Sequence, residues 1–130
     1  MTLTQKHILI IEDERDTRES LTQALGTQGY RVDAVVDGLA ALEKFEDANF
    51  LPDLILLDFM MPKMDGYEFR TWQLQAARVS KIPIVVLSAG VARPKPDAGI
   101  FQNAVIIKKP VDLALLLEKI ASILSPTGLS

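Results

Sequence analysis

Four short stretches of the chain are almost wholly apolar: residues 8–11 (ILII), 54–57 (LILL), 82–87 (IPIVVL) and 104–107 (AVII). Runs of this length, rich in β-branched residues, read as strands buried on both faces, as in a parallel sheet. A fifth stretch, residues 30–36, alternates instead. It places Val32, Ala34 and Val36 on one side and predicts a more exposed strand. Pro83 is tolerable only near the start of its strand, where its missing donor is not needed.

Between the strands the period changes to that of helices. Leu21, Ala24 and Leu25 recur at helical spacing after Arg15, with Gly29 as the C-terminal stop. Asp37 is placed to cap a helix in which Ala41, Leu42 and Phe45 share a face. Asp65 and Glu68 have the spacing of a capping box for a third helix carrying Phe69 and Trp72. Asp112 precedes a last helix with Leu113, Leu116, Leu117, Ile120 and Leu124 on one side, and residues 125–130 read as a tail.

Five strands alternating with helices imply right-handed crossovers and a doubly wound α/β domain. In such folds ligands bind beyond the carboxyl ends of the strands. Those ends carry Glu12 and Asp13, Asp58, Ser88 and Lys109. Residues far apart in sequence are therefore expected at one edge of the sheet.

Composition narrows the chemistry. The 130 residues suit one domain, spanning 1–130 with a core of about 6–124. No Cys is present, so disulfides, thiolate zinc sites and Cys nucleophiles are excluded. The lone His7 argues against a multi-His metal site or a Ser-His-Asp triad. A formal charge of -3 argues against a nucleic-acid surface. No apolar run reaches the ~18 residues of a membrane span, and acidic residues follow the first apolar run too soon for a signal peptide. A cytoplasmic domain with no membrane partner is expected.

Taken singly, Glu12 and Asp13 can cap the first helix, Ser88 can end a strand and Lys109 can be a solvated charge. Together they make a different site. Clustered carboxylates repel unless a cation joins them, and an all-oxygen set suits a hard ion such as Mg²⁺. A carboxylate can also be a nucleophile that forms an aspartyl-phosphate. Lys109 and the ion would then neutralise phosphoryl oxygens, and Ser88 would donate a hydrogen bond to one of them.

The segments IIEDE (10–14), LLDFMMPKMDG (56–66), VLSA (86–89) and KKP (108–110) resemble, in this order and spacing, the receiver domain of two-component response regulators. The resemblance covers residues 6 to about 124. It implies a flavodoxin-like (βα)5 fold with strand order 2-1-3-4-5. It further implies Asp58 as phospho-acceptor, Ser88 and Lys109 as the family's hydroxyl and lysine, and a cis Lys109-Pro110 bond. Asp13 and Asp58 would bind Mg²⁺ directly, Glu12 through water, and the Met60 backbone carbonyl would complete the protein ligands. The implied partners are a sensor histidine kinase or phosphohistidine transfer protein and an unspecified downstream protein. Such a domain is not an enzyme beyond catalysing its own phosphorylation and dephosphorylation, and it either stands alone or belongs to a longer regulator.

Two departures stand out. Ile106 occupies the position where receivers usually carry Tyr or Phe. Residues 90–104 (GVARPKPDAGIFQNA) should hold a fourth helix, yet Pro94, Pro96 and Gly99 oppose one. An irregular stretch over 90–95 is expected, followed by at most two helical turns between about Pro96 and Gln102. These departures favour a phosphorylation-independent interaction module as the alternative. A phosphatase reading lacks a second Asp two residues after Asp58, where Met60 stands. A flavin carrier would need a Ser/Thr/Gly-rich loop after the first strand, where this chain is acidic.

Overall fold

The computed structural model describes residues 5–60, 63–89 and 98–125. Five parallel strands, β1 (His7–Ile11), β2 (Arg31–Val35), β3 (Leu54–Asp58), β4 (Ile84–Ser88) and β5 (Val105–Lys108), form one sheet. Their order is β2-β1-β3-β4-β5, as the family resemblance implied. Helices α1 (Arg15–Thr27), α2 (Gly38–Phe45), α3 (Gly66–Gln75) and α4 (Leu113–Ile123) cover its faces. In the region of the expected fourth helix, the described residues contain a single 3-10 turn, Ala98–Phe101. The irregular stretch expected over 90–95 lies outside the described residues, as does the tail beyond Ser125.

The period of two along each strand sorts the core into two layers. Leu9, Ile11, Ile55, Leu57, Ile84 and Val86 pack with Ala41, Phe45 and Phe69 on the α2–α3 side. Ile8, Ile10, Leu54, Leu56, Val85 and Leu87 pack with Leu21, Leu25, Leu116 and Ile120 on the α1–α4 side. The three strands β1, β3 and β4 are therefore apolar at every interior position because each has two buried faces.

Local signals account for the element ends. Asp37 accepts a hydrogen bond from the Ala40 amide, Asp112 accepts one from Leu115, and Asp65 with Glu68 forms the complete capping box. Gly29 follows α1 with φ +94°, a left-handed conformation that glycine adopts without a Cβ clash. The Lys109-Pro110 bond is cis, as expected.

β2 is the more exposed strand that was expected, and one helix position needs correction. In β2 it is Val35 that is buried, whereas Ala34 and Val36 are exposed. β2 is an edge strand in regular register: Val32 and Ala34 pair with Ile8 and Ile10, and Val35 lies on the opposite, α2–α3 side beside Ile11. Leu113, expected on the same apolar side of the last helix as Leu116 and Ile120, is exposed. It is the first residue of α4, next to the Asp112 cap, and the buried residues of the helix begin at Leu116.

Candidate acidic site

Parallel pairing in register carries the strand ends to one place. Ile11 of β1 lies beside Leu57 of β3, so Glu12 and Asp58 are the next residues on adjacent strands. Asp58 pairs with Leu87 of β4, and Ser88 pairs with Lys108 of β5. Carboxylate oxygens of Glu12, Asp13 and Asp58 all lie within 4.8 Å of one another. Lys109 Nζ stands 3.1 Å from Asp58 Oδ1 and 3.9 Å from Glu12 Oε1. The backbone amide of Lys109 donates to the Ser88 carbonyl at 2.6 Å, fastening the lysine to the end of β4.

Burial separates the members. Glu12 is 1% exposed, Asp58 3% and Ser88 6%, whereas Asp13 is open to solvent. Glu12 Oε2 accepts from the Glu14 amide at 3.0 Å, but its Oε1 is buried with no hydrogen-bond partner among the described residues. The Met60 amide, itself on an exposed residue, donates to Asp58 Oδ1 at a long 3.4 Å. Glu12, Asp13, Asp58 and Lys109 thus converge. Ser88 ends the strand beside Asp58, and Met60 borders the group through its amide.

The electrostatics follow from three carboxylates around one amine. Burial pushes the Glu12 carboxyl up to about 7; the Glu14 amide and Lys109 oppose this, and the neighbouring Asp58 charge adds to it. Asp58 is also raised, chiefly by burial, against the stabilising hydrogen bond from Lys109. Burial alone would lower Lys109, but its hydrogen bond to Asp58 and the surrounding carboxylates raise it. Lys109 is thus held as a cation, while two buried acids lack enough positive charge to ionise freely.

Pattern reading did not single out Arg18. From the second turn of α1, its guanidinium donates to the carbonyls of Glu12 (3.0 Å) and Asp13 (3.3 Å). It braces the backbone that carries both acids. Its position five residues after Asp13, on a helix starting just past the strand, was the available signal. The apolar period does not report such contacts.

A doubly wound parallel domain with an acidic, lysine-bearing edge defines a class, and comparison with known proteins agrees. Residues 8–121 match the response regulator receiver domain model, and the chain belongs to that family. The response regulator MprA of Mycobacterium leprae (strain TN) is 38% identical over 121 residues, 92% of this chain and 51% of that protein. The chain therefore spans about half the length of the curated relatives it matches. Chemotaxis response regulator CheY4 of Vibrio cholerae superposes with a TM-score of 0.81 at 28% identity, covering 93% of this chain and 100% of that one. The receiver domain of a sensor histidine kinase from Pseudomonas aeruginosa PAO1, solved with a magnesium ion coordinated in its active site cleft, superposes with a TM-score of 0.76. Its identity is 26%, over 91% of this chain and 96% of that one.

Proposed function

We propose that this receiver domain accepts a phosphoryl group on Asp58 in a Mg²⁺-dependent reaction and thereby switches or relays a two-component signal. The observation that carries the reading is the buried Asp58 carboxylate in contact with Lys109 and within reach of Glu12 and Asp13. The donor set fits the ion: all ligand atoms are oxygens, the buried Glu12 Oε1 has no hydrogen-bond partner among the described residues, and one lysine faces three carboxylates. Asp13 and Asp58 would hold Mg²⁺ directly, Glu12 through water, with the Met60 carbonyl as a further ligand. When bound, the ion neutralises carboxylate and phosphoryl charge.

The chain's own groups do the rest. An Asp58 carboxylate oxygen attacks phosphorus, the new P–O bond forms, and the bond to the donor's leaving group breaks with its electron pair going to that group. Lys109 holds Asp58 in place and meets the transferred phosphoryl oxygens with a fixed positive charge. Ser88, at the end of β4, supplies a hydroxyl donor to the same group. The domain acts on itself, with hydrolysis of the acyl phosphate returning free Asp58, and is not an enzyme for a separate substrate. Receiver domains interact with histidine kinases or phosphotransfer proteins, and one of these would be the donor here. A downstream protein would read the result. No helix among the described residues is long and apolar enough to cross a membrane, and a cytoplasmic location accords with such a donor.

Incubation with acetyl phosphate should add one phosphoryl group by intact mass when Mg²⁺ is present and none when it is chelated. Absence of labelling under both conditions would leave the phosphorylation-independent module as the better reading. The ion should also raise the unfolding temperature by mass action, contributing about 2.7 kcal/mol at a hundredfold excess over its Kd. Asp13→Ala should remove most of that response, while the metal-free variant unfolds no earlier than wild type because one repelling charge is gone. A wild-type response in Asp13→Ala would place the ion elsewhere.

A further inference from the structure

Helix α1 carries two arginines near its start, and they are used differently. Arg15 is 77% exposed and pairs in solvent with Glu19 at 3.0 Å. Arg18 turns back toward the end of β1, and one nitrogen of its guanidinium, Nη1, reaches the carbonyls of both Glu12 and Asp13. Among the described residues Arg18 makes no ion pair. Its charge rests on backbone oxygens beside the acids and uses no carboxylate oxygen. A cation near a helix N-terminus opposes the helix dipole, and the two carbonyl contacts offset that cost.

Those carbonyls flank a single residue. The Glu12 carbonyl belongs to the peptide unit before the Asp13 Cα, and the Asp13 carbonyl to the unit after it. Each unit is planar, so holding both fixes φ and ψ of Asp13 and the direction in which its side chain leaves the backbone. Other bonds hold the neighbours. The Glu12 amide donates to the Val35 carbonyl at 3.0 Å, the Glu14 amide to Glu12 Oε2 at 3.0 Å, and the Arg18 amide to the Glu14 carbonyl at 2.9 Å. Asp13 depends on this support more than its partners do. Glu12 and Asp58 are buried, whereas Asp13 is open to solvent, and an exposed acid escapes repulsion by turning toward water. Its carboxylate nevertheless stays within 4.8 Å of theirs. A backbone pinned from α1 keeps it there before any ion arrives, which lowers the ordering cost of binding.

We propose that Arg18 is a positioning residue for Mg²⁺: by fixing the two peptide units around Asp13 it presents that carboxylate to the ion and so sets how tightly the acidic site binds metal. The inference rests on the Mg²⁺-dependent reading above and adds to it a residue that touches neither the ion nor the phosphoryl group. Two cations then divide the work. Lys109 meets the charge on Asp58, and Arg18 meets the backbone dipoles behind Asp13.

Calorimetry on the full chain compares Mg²⁺ affinity in wild type, Arg18→Met and Arg18→Lys. Arg18→Met should bind Mg²⁺ about tenfold more weakly, the low end of the usual cost of losing a contact behind a metal ligand. Arg18→Lys keeps a donor on a stem of similar length and should recover most of that loss. The amide resonances of Asp13 and Glu14, which share peptide units with the two carbonyls, should move in Arg18→Met and return toward their wild-type positions in Arg18→Lys. Half-maximal labelling by acetyl phosphate should need about tenfold more Mg²⁺ in Arg18→Met, with labelling recovered when the ion is saturating. An arginine that only supports the fold would instead give an earlier urea midpoint without metal and the wild-type Kd. Folded Arg18→Met that binds Mg²⁺ within about twofold of wild type, well inside that usual cost, would overturn the proposal while leaving the site intact. Wild type supplies a check that stands even if Arg18→Met fails to fold. Its Arg18 Nη1 protons should be held against rotation and exchange with and without Mg²⁺, and freely rotating protons would overturn the proposal. Wild type that binds no Mg²⁺ would overturn the functional reading and this inference with it.

Discussion

Asp58→Asn is expected to accept no phosphoryl group from acetyl phosphate, where wild type accepts one. The substitution keeps the shape of the side chain and removes the nucleophile, because an amide oxygen lacks the charge that attacks phosphorus. Of the three clustered acids, Asp58 is the one in 3.1 Å contact with Lys109, whereas Glu12 stands farther off at 3.9 Å. Lys109 therefore marks Asp58 as the acid at which phosphoryl charge is best met. The fold should survive, since a neutral side chain relieves repulsion with Glu12, and Lys109 keeps Glu12 as a partner. Intact mass and peptide mapping give the readout. Full labelling of the variant, or a label mapped to Glu12 or Asp13 in wild type, would show that the nucleophile has been misassigned.

The second large effect is on stability against pH. Glu12 is buried and its carboxyl is raised to about 7, so the native state binds a proton that the unfolded chain releases near 4.5. Between those values the native state holds more protons than the unfolded one, and stability falls as pH rises. The metal-free protein should therefore be less stable at pH 7.5 than at pH 5, by up to about 3 kcal/mol if the whole shift is expressed. Asp58, also raised, acts in the same direction. Glu12→Gln keeps the size of the side chain but cannot ionise, so it should flatten most of that slope in urea titrations without metal. A wild-type slope in Glu12→Gln would mean that the carboxylate does not ionise at a cost in the native state.

The strands were legible for a physical reason. β1, β3 and β4 lie inside the sheet with both faces covered, and no polar residue can interrupt them until the strand reaches its open end. The same constraint made the site legible. Glu12, Asp58 and Ser88 are conspicuous because each breaks an apolar run, and Lys109 because it follows one. Less was visible where that constraint lapses. β2 is an edge strand, and its alternation placed Val32, Ala34 and Val36 on one side without marking Val35 as its buried residue. Arg70 and Gln73 carry no apolar signal, yet they are buried because backbone carbonyls distant in sequence receive their donors. Hydrophobic periodicity records which residues avoid water. It does not record which polar groups have found partners elsewhere in the chain.

The adjacency of β1 and β3 also has a kinetic side. Glu12 and Asp58 are 46 positions apart and meet only when parallel pairing places Ile11 beside Leu57. Parallel pairing across such a separation carries a large loop-closure cost before its contacts return anything. A partly folded chain without that pairing holds the acids apart, so it has no cluster to repel and none to bind an ion. Stabilisation gained from a cation is then absent from an early transition state and appears mainly as slower unfolding. In a chevron plot, Mg²⁺ would lower the unfolding limb and leave the folding limb nearly in place, so that the ion prolongs the life of the finished domain without hastening its assembly.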